Sequence, residues 1–371
     1  MRMAFVKNYL RNYQNYKENW NYEDGCVLIG AHQLYQATGD ECYRDFIFKY
    51  LNDFISADGT IKNYRNDEYN IDNINAGKVL FFAYAQTGDE KYKLAIENLM
   101  NQLRSHPRTK SGSFFHKMLY PNQIWLDGLY MAQPFYMEYE TKFNKMNQYQ
   151  DILNQFRNVK KYLFDQTSGL YYHAYDETKT IFWANKVTGC SKNFWLRSIG
   201  WYMMALVDTM AAMSREIYEQ YDEYRSLLKE IVDNILRYQD PDSHLFYQVV
   251  DQGKTDGNYL ETSGTAMIAY AVLKACNLQI LSKEKYLDRG KEIFDSLTTQ
   301  KLVEENGQTI LKDICLVAGL GPEDNLKRDG SVEYYLSEPR VANDSKGVGP
   351  YMMALAQRIM AGDEEKYKEV L

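Results

Sequence analysis

At 371 residues, 45% hydrophobic and 25% charged, the chain has ample apolar material for a core and none of the bias of a disordered protein. A formal net charge of −7 argues against a nucleic-acid surface, which needs clustered Lys and Arg, and no apolar run approaches the length needed to cross a bilayer. The five cysteines (Cys26, Cys42, Cys190, Cys276 and Cys315) are odd in number and lack CxxC spacing, as expected of reduced thiols in a cytoplasmic protein rather than a disulfide frame or a zinc site.

The N-terminal twenty residues, MRMAFVKNYLRNYQNYKENW, contain no continuous apolar stretch of the kind a signal peptide carries. The first strong signal is an internal repeat. Leu34-Tyr-Gln-Ala-Thr38-Gly39-Asp40 matches Tyr84-Ala-Gln-Thr87-Gly88-Asp89, and an amphipathic charged stretch follows each. In both, Gly is placed to end one helix in a left-handed cap and Asp to begin the next, which predicts helix, tight turn, helix. The same plan, an apolar helix followed by a charged one, recurs near 123–165, 195–240, 259–300 and 345–371. With apolar members inside and charged members outside, six helical hairpins make an all-α (α/α)6 barrel. No Pro/Gly-rich linker divides it, so residues 1–371 read as one domain. The segments 106–122, 166–192 and 241–258 are too long for simple turns and are expected to line the barrel mouth.

Ring-rich segments precede the apolar helices in a recurring arrangement: Tyr69-Asn-Ile-Asp72, Ser113-Phe-Phe-His116, Leu170-Tyr-Tyr-His173 and Leu245-Phe-Tyr-Gln248. If the apolar helices run in the same direction, their N-termini bring acids, bases and rings to one mouth. The chain holds 33 Tyr, 16 Phe and 5 Trp. Rings with a polar tip suit a pocket that stacks on sugars, although a bias shared with Asn and Lys explains part of the tyrosine excess.

Asp127, in Ile124-Trp-Leu-Asp-Gly-Leu-Tyr-Met131, stands out. Apolar, aromatic neighbours raise a carboxyl pKa and favour a proton donor, whereas a helix N-terminus favours the charged form. A capping or salt-bridged aspartate is the competing reading. Asp72 holds the matching position one hairpin earlier, as a second acid or an N-cap. His116 and His173 close similar segments and are candidates for the pocket. Arg197 and Trp201 are four apart on one helix and share a face, with Trp195 just before them, a set able to grip a carboxylate and stack a ring; pairing of Arg197 with a structural acid is the alternative. Lys346 opens the last apolar helix as another mouth cation. No histidine or cysteine spacing fits a metal site.

The runs His106-Pro-Arg-Thr109, His116 through Pro134 (HKMLYPNQIWLDGLYMAQP), Gly169-Leu-Tyr-Tyr-His-Ala-Tyr-Asp176, Phe194-Trp-Leu-Arg-Ser-Ile-Gly-Trp201 and Asn258-Tyr-Leu-Glu-Thr-Ser263 resemble glycoside hydrolase family 105, the unsaturated rhamnogalacturonyl hydrolases, over nearly the whole chain. The resemblance implies an (α/α)6 barrel without metal or organic cofactor. It implies a substrate with a 4,5-unsaturated uronic acid at its non-reducing end, such as unsaturated galacturonate on a product of pectin or rhamnogalacturonan lyases. It further implies that Asp127 is the general acid/base, with Asp72, His116, His173, Trp195, Arg197 and Trp201 around the sugar; Asp72 is expected to join the catalysis by placing the water or holding the proton on Asp127. Leu196 departs from the family pattern, where a smaller residue is usual, and is expected to reshape the pocket beside the uronate. The expected protein is a cytoplasmic monomer or homodimer that acts on an unsaturated oligosaccharide, with neither nucleic acid nor membrane as partner. The alternatives are an unsaturated glucuronyl hydrolase of related family 88, acting on glycosaminoglycan or ulvan fragments, and a non-catalytic carbohydrate-binding barrel.

Overall fold

The computed structural model describes residues 1–362. The Thr-Gly-Asp repeat folds as its chemistry dictates. Helix α2 (Tyr22–Thr38) ends at Gly39 with φ +68°, and α4 (Lys78–Thr87) ends at Gly88 with φ +66°, a left-handed conformation that glycine adopts without a Cβ clash. Asp40 then accepts the Cys42 N–H to cap α3 (Glu41–Phe54), and Asp89 accepts the Lys91 N–H to cap α5 (Glu90–Ser105). In each turn the threonine hydroxyl donates back to a carbonyl of its own helix, Leu34 or Ala83.

Three further pairs follow: α6 (Leu126–Phe143) with α7 (Tyr149–Leu163), α8 (Leu196–Ala212) with α9 (Tyr218–Ile235), and α10 (Thr262–Asn277) with α11 (Lys283–Lys301). The pairs differ as inner and outer helices should. All sixteen residues of α10 are buried, whereas α7 buries a stripe of Tyr149, Ile152, Leu153, Phe156, Val159 and Leu163 and turns its charges outward. After a short helix α12 (Val332–Ser337) comes the last inner helix, α13 (Ser345–Met360).

The inner helices close a ring. Helix α2 packs on the 3-10 helix Ile71–Gly77 that leads into α4; that segment packs on α6, α6 on α8, α8 on α10, α10 on α13, and α13 back on α2. The architecture is the expected (α/α)6 barrel. The charged half of the pair expected near 345–371 lies almost wholly outside the described residues, and a helix from the other end of the chain, α1 (Arg2–Arg11), stands beside α13. Phe5 meets the Tyr351 ring edge-on at 6.2 Å, and Tyr9 bonds Ser345. The sequence reading overlooked this because the tyrosines, asparagines and lysines of the first twenty residues show no strong apolar period.

Strands are few and short: β1 (Gln123–Trp125) pairs antiparallel with β2 (Ala174–Asp176), β3 (Leu302–Glu305) with β4 (Gln308–Leu311), and β5 (Ile314–Cys315) with β6 (Arg340–Val341). Together with single bridges they form a girdle around one end of the barrel. Ile71 N–H donates to His116 O, His116 N–H to Gln123 O, Leu126 N–H to His173 O, Leu196 N–H to Gln248 O, Glu261 N–H to Phe246 O and Thr262 N–H to Asp313 O. The loops expected at the mouth are therefore stitched to the first residues of the inner helices, and the backbone bonds missing at those helix starts are supplied from neighbouring hairpins. The segment between α11 and α13, which was not singled out from sequence, adds the β3–β4 hairpin and α12 to the rim.

Candidate active site

Each inner helix delivers polar residues to the mouth at or near its N-terminus. Asn70 caps the 3-10 helix by accepting the Asp72 N–H, so Asp72 is not the cap and its carboxylate turns to other partners: Lys117 Nζ at 2.5 Å and His116 Nε2 at 3.6 Å. Asp127 lies in the first turn of α6, where it caps nothing and faces His173 Nε2 at 3.3 Å. Neither of the two facing atoms has a hydrogen-bond partner. His116 stands between the two acids, with Nδ1 3.1 Å from where a side chain on Gly128, the residue after Asp127, would place its first carbon.

Stacked rings fix these groups. His116 lies flat on Trp125 (4.5 Å, 8°), Tyr120 covers the same indole (4.7 Å, 27°), and the Trp125 edge meets His173 at 5.2 Å. Trp195 flanks His173 at 4.7 Å. Its indole N–H donates to Gln248 Oε1 at 3.2 Å, so the glutamine that ends LFYQ anchors a ring as its histidine counterparts flank acids. Burial draws His116 down to about 4 despite the opposing pull of Asp72, which leaves a neutral ring at pH 7.

At Asp127 the two opposed influences read from the sequence resolve toward the charged form. Burial does push its carboxyl up, but the His173 ring and, beyond it, His116 outweigh burial and hold the group below the usual carboxylate range. The apolar neighbours in sequence are there; the decisive partner is a histidine on another hairpin.

Arg197 is 1% exposed and, among the described residues, bonds no structural acid, although Glu261 acts on it through space. Its hydrogen bonds go to three neutral acceptors, Ser263 Oγ (3.2 Å), Cys315 O (2.6 Å) and Leu316 O (3.5 Å), and its guanidinium rests over Trp195. Glu261 builds this cradle: its carboxylate caps α10 by accepting the Ser263 and Gly264 N–H groups, and also accepts the Ser263 hydroxyl and the Cys315 N–H.

Trp201 lies one turn beyond Arg197 on α8, buried and stacked on Tyr130 (5.0 Å, 22°). Two sequence expectations need correction. Lys346 is not a free cation, since Glu23 (3.2 Å) and Asp344 (2.9 Å) already hold its ammonium. Leu196 does not shape the pocket: its side chain is fully buried against Gly264, where any larger residue would sit 2.5 Å from it.

The sequence reading also missed Lys117, Tyr22 and Tyr335. Tyr22, the first residue of α2, shares its electrostatic surroundings with Glu23, Asp72 and Arg197. Tyr335, on α12, bonds His173 Nδ1 at 2.8 Å. Burial raises the Tyr335 phenol well above its ordinary range, so it stays protonated and can give or take the bond at Nδ1. The bond orients the His173 ring so that Nε2 faces Asp127. Tyr335→Phe should lower kcat about three- to tenfold, the worth of one hydrogen bond, and shift the acidic limb of the pH–rate profile; a superimposable profile at full rate would remove Tyr335 from this relay.

Among the described residues no group of three or more His, Cys, Asp or Glu side chains converges as a metal site requires, all five cysteines are free thiols, and no helix is long and apolar enough to cross a membrane.

A closed helical barrel with two histidine-flanked acids and a buried arginine at one mouth is the architecture of a carbohydrate-active enzyme. The chain belongs to Glycosyl Hydrolase Family 88, whose sequence profile matches residues 1–361. It is similar to a glycoside hydrolase from family 105 of C. acetobutylicum ATCC 824, with 42% identity and a TM-score of 0.91, covering 96% of this chain and 99% of that one. It is 38% identical to Protein Atu3128 of Agrobacterium fabrum over 234 residues, 62% of this chain and 99% of the relative. It is 25% identical to the unsaturated rhamnogalacturonyl hydrolase YesR of Bacillus subtilis strain 168 over 274 residues, 72% of this chain and 74% of the relative. The protein is a glycoside hydrolase of the unsaturated glycuronyl hydrolase group, as the resemblance implied, and not a non-catalytic sugar-binding barrel.

Proposed function

We propose that this enzyme releases a 4,5-unsaturated galacturonate from the non-reducing end of rhamnogalacturonan or pectin lyase products. The observation that carries the reading is the pairing of Asp127, as proton carrier, with a buried arginine whose hydrogen-bond partners are all neutral. Glu261 supplies negative charge to this guanidinium only through space, so its planar fork remains able to take the carboxylate of a ligand directly. Likeness to YesR supports the rhamnogalacturonan side of the choice.

The double bond between C4 and C5 is a vinyl ether. Protonated Asp127 delivers its proton to C4, and cationic character develops at C5 and the ring oxygen. Water then bonds to C5 while its proton passes to the Asp127 carboxylate, so the group ends as it began. The hemiketal opens, and the linkage collapses to a 5-keto-4-deoxyuronate and the shortened sugar. No nucleophilic attack on the anomeric carbon is required, so Asp72 serves to place the water with His116 and Lys117 rather than to form a glycosyl–enzyme bond.

Isotopes test this reading. Turnover in D₂O should place deuterium at C4 of the released keto acid, and turnover in H₂¹⁸O should first label C5. Ordinary glycosidic hydrolysis would label C1 and leave C4 protiated. Mass spectra read before enolisation that lack C4 deuterium would overturn the mechanism, and failure to cleave a rhamnogalacturonan lyase disaccharide would overturn the substrate.

A further inference from the structure

The barrel has a second opening. Opposite the mouth, toward the C-terminal ends of the inner helices, a cavity of about 540 Å³ is walled by all six of them, with His32 from α2, Lys78 from α4, Glu138 from α6, Asp208 from α8, Lys274 from α10 and Gln357 from α13. Gln36 and Lys142 in its lining are exposed, so small solutes reach it from the side away from Asp127. Its volume is within the range of about 300–1,000 Å³ typical of ligand pockets.

Two of the three lysines in the lining have an ordinary explanation. Lys142 and Lys274 lie in the last turns of α6 and α10, where the helix dipole favours cations, and each is paired, Lys142 with Glu138 at 2.8 Å and Lys274 with Asp208 at 2.7 Å. Lys78 is different. It opens α4 and, among the described residues, bonds no carboxylate. Its Nζ donates to two neutral oxygens, Asn75 Oδ1 at 2.8 Å and Tyr130 O at 2.6 Å, and lies 3.4 Å from the centre of the Tyr130 ring. Those two bonds take up both protons of a neutral amine and leave its lone pair free. Burial, aided by the charge of Lys274, outweighs Asp208, Cys26 and Glu138 and brings Lys78 down to about 7. A desolvated lysine beside a second cation is the setting in which an amine becomes a nucleophile toward carbonyl carbon. Burial also raises the Glu138 carboxyl above its ordinary range, despite Lys142 beside it, which gives the same cavity a proton source.

We propose that Lys78 is a carbonyl-reactive site, at which small aldehydes and ketones that enter from this end of the barrel form a reversible covalent adduct. The amine lone pair bonds to the carbonyl carbon, the carbonyl oxygen takes a proton, and nitrogen gives one up, which leaves a carbinolamine. Its hydroxyl departs with a proton from Glu138 as water, and the C=N bond of an imine forms without any oxidant or reductant. The 5-keto-4-deoxyuronate released at the mouth is itself such a carbonyl compound, so the enzyme's own product is one ligand of the site; that part rests on the hydrolase reading above.

Reductive trapping tests this. The whole protein is incubated with glyceraldehyde and cyanoborohydride, which converts an imine to a stable secondary amine, and the labelled positions are mapped by mass spectrometry over a range of pH. At pH 7 Lys78 should be labelled at least about tenfold faster than any other lysine side chain, because ordinary lysines are almost wholly protonated there. Its rate should rise with a midpoint near pH 7, and Lys78→Met should lose this fast label. Labelling spread over the surface lysines with a midpoint at about pH 10, or a fast label that survives Lys78→Met, would overturn the proposal; the pH profile at Lys78 in the wild-type protein decides the matter if the variant does not fold. Trapping during turnover of a rhamnogalacturonan lyase disaccharide should add the keto acid at the same lysine. Keto acid formed without that adduct would remove the product as a ligand. If the disaccharide is not cleaved at all, the hydrolase reading fails while glyceraldehyde still decides Lys78.

Discussion

Asp127→Asn should lower kcat by about 10²–10⁴-fold, the usual worth of a positioned acid/base, with folding and much of the substrate affinity retained. The amide preserves the shape beside His173 but cannot deliver a proton. A variant keeping more than about a tenth of wild-type kcat would remove Asp127 from the chemistry. The low carboxyl pKa of the free protein adds a second expectation. Although burial opposes it, the His173 ring beside Asp127 favours the ionised form, so at neutral pH the free enzyme holds a carboxylate that must gain its proton before it can act. The carboxylate of an entering uronate opposes ionisation and raises that pKa. The limb attributable to Asp127 should therefore lie higher in the pH profile of kcat, which reports the complex, than in that of kcat/KM, which reports the free enzyme. Coincident limbs, or a shift the other way, would rule out substrate-driven protonation.

Glu261→Ala should be the most damaging single substitution at the mouth. It strips a fully buried carboxylate that accepts from Ser263 N–H and Oγ–H, Gly264 N–H and Cys315 N–H. Leaving such donors without an acceptor costs roughly 4 kcal/mol, at the upper end of single-residue effects. A thermal melt should fall by several degrees, and a melting temperature unchanged within about a degree would contradict the cradle. Because Ser263 and Cys315 are also the partners of Arg197, whatever protein folds should show a raised KM for the anionic substrate. Glu261→Gln, which keeps one acceptor oxygen, should fall between the two.

The extent to which the sequence was legible follows from how local each signal is. The hairpin repeat was readable because Thr38-Gly39-Asp40 and Thr87-Gly88-Asp89 carry their caps within a few residues. The acids at the mouth were readable because each precedes or opens an apolar helix. What depended on partners from another hairpin was not. The sign of the shift at Asp127 is set by His173, outside any window around Ile124-Trp-Leu-Asp. Trp201 shares a face with Arg197, but its stacking partner Tyr130 is on another hairpin. Lys346 looked free because Glu23, more than three hundred positions earlier, is invisible from its own segment. Tyr22 was hidden among 33 tyrosines, and Tyr335 sits on α12, a helix of six residues, too short for an apolar period to mark it.

The closure of the barrel has a consequence for synthesis. Helices α2 and α13 form the most extensive of the helix contacts, and Gly349 of α13 comes so near that a methyl group there would lie 2.6 Å from the Cys26 backbone. Yet α2 ends at Thr38 and α13 begins at Ser345. A ribosome adding about 5–20 residues per second needs roughly 15–60 s to make the intervening chain. For that time Cys26, Gly30 and Gln33, which meet Gly349, Met352 and Gln357 in the finished protein, lack the neighbour that will cover them, and the first inner helix must wait with that face open or provisionally buried.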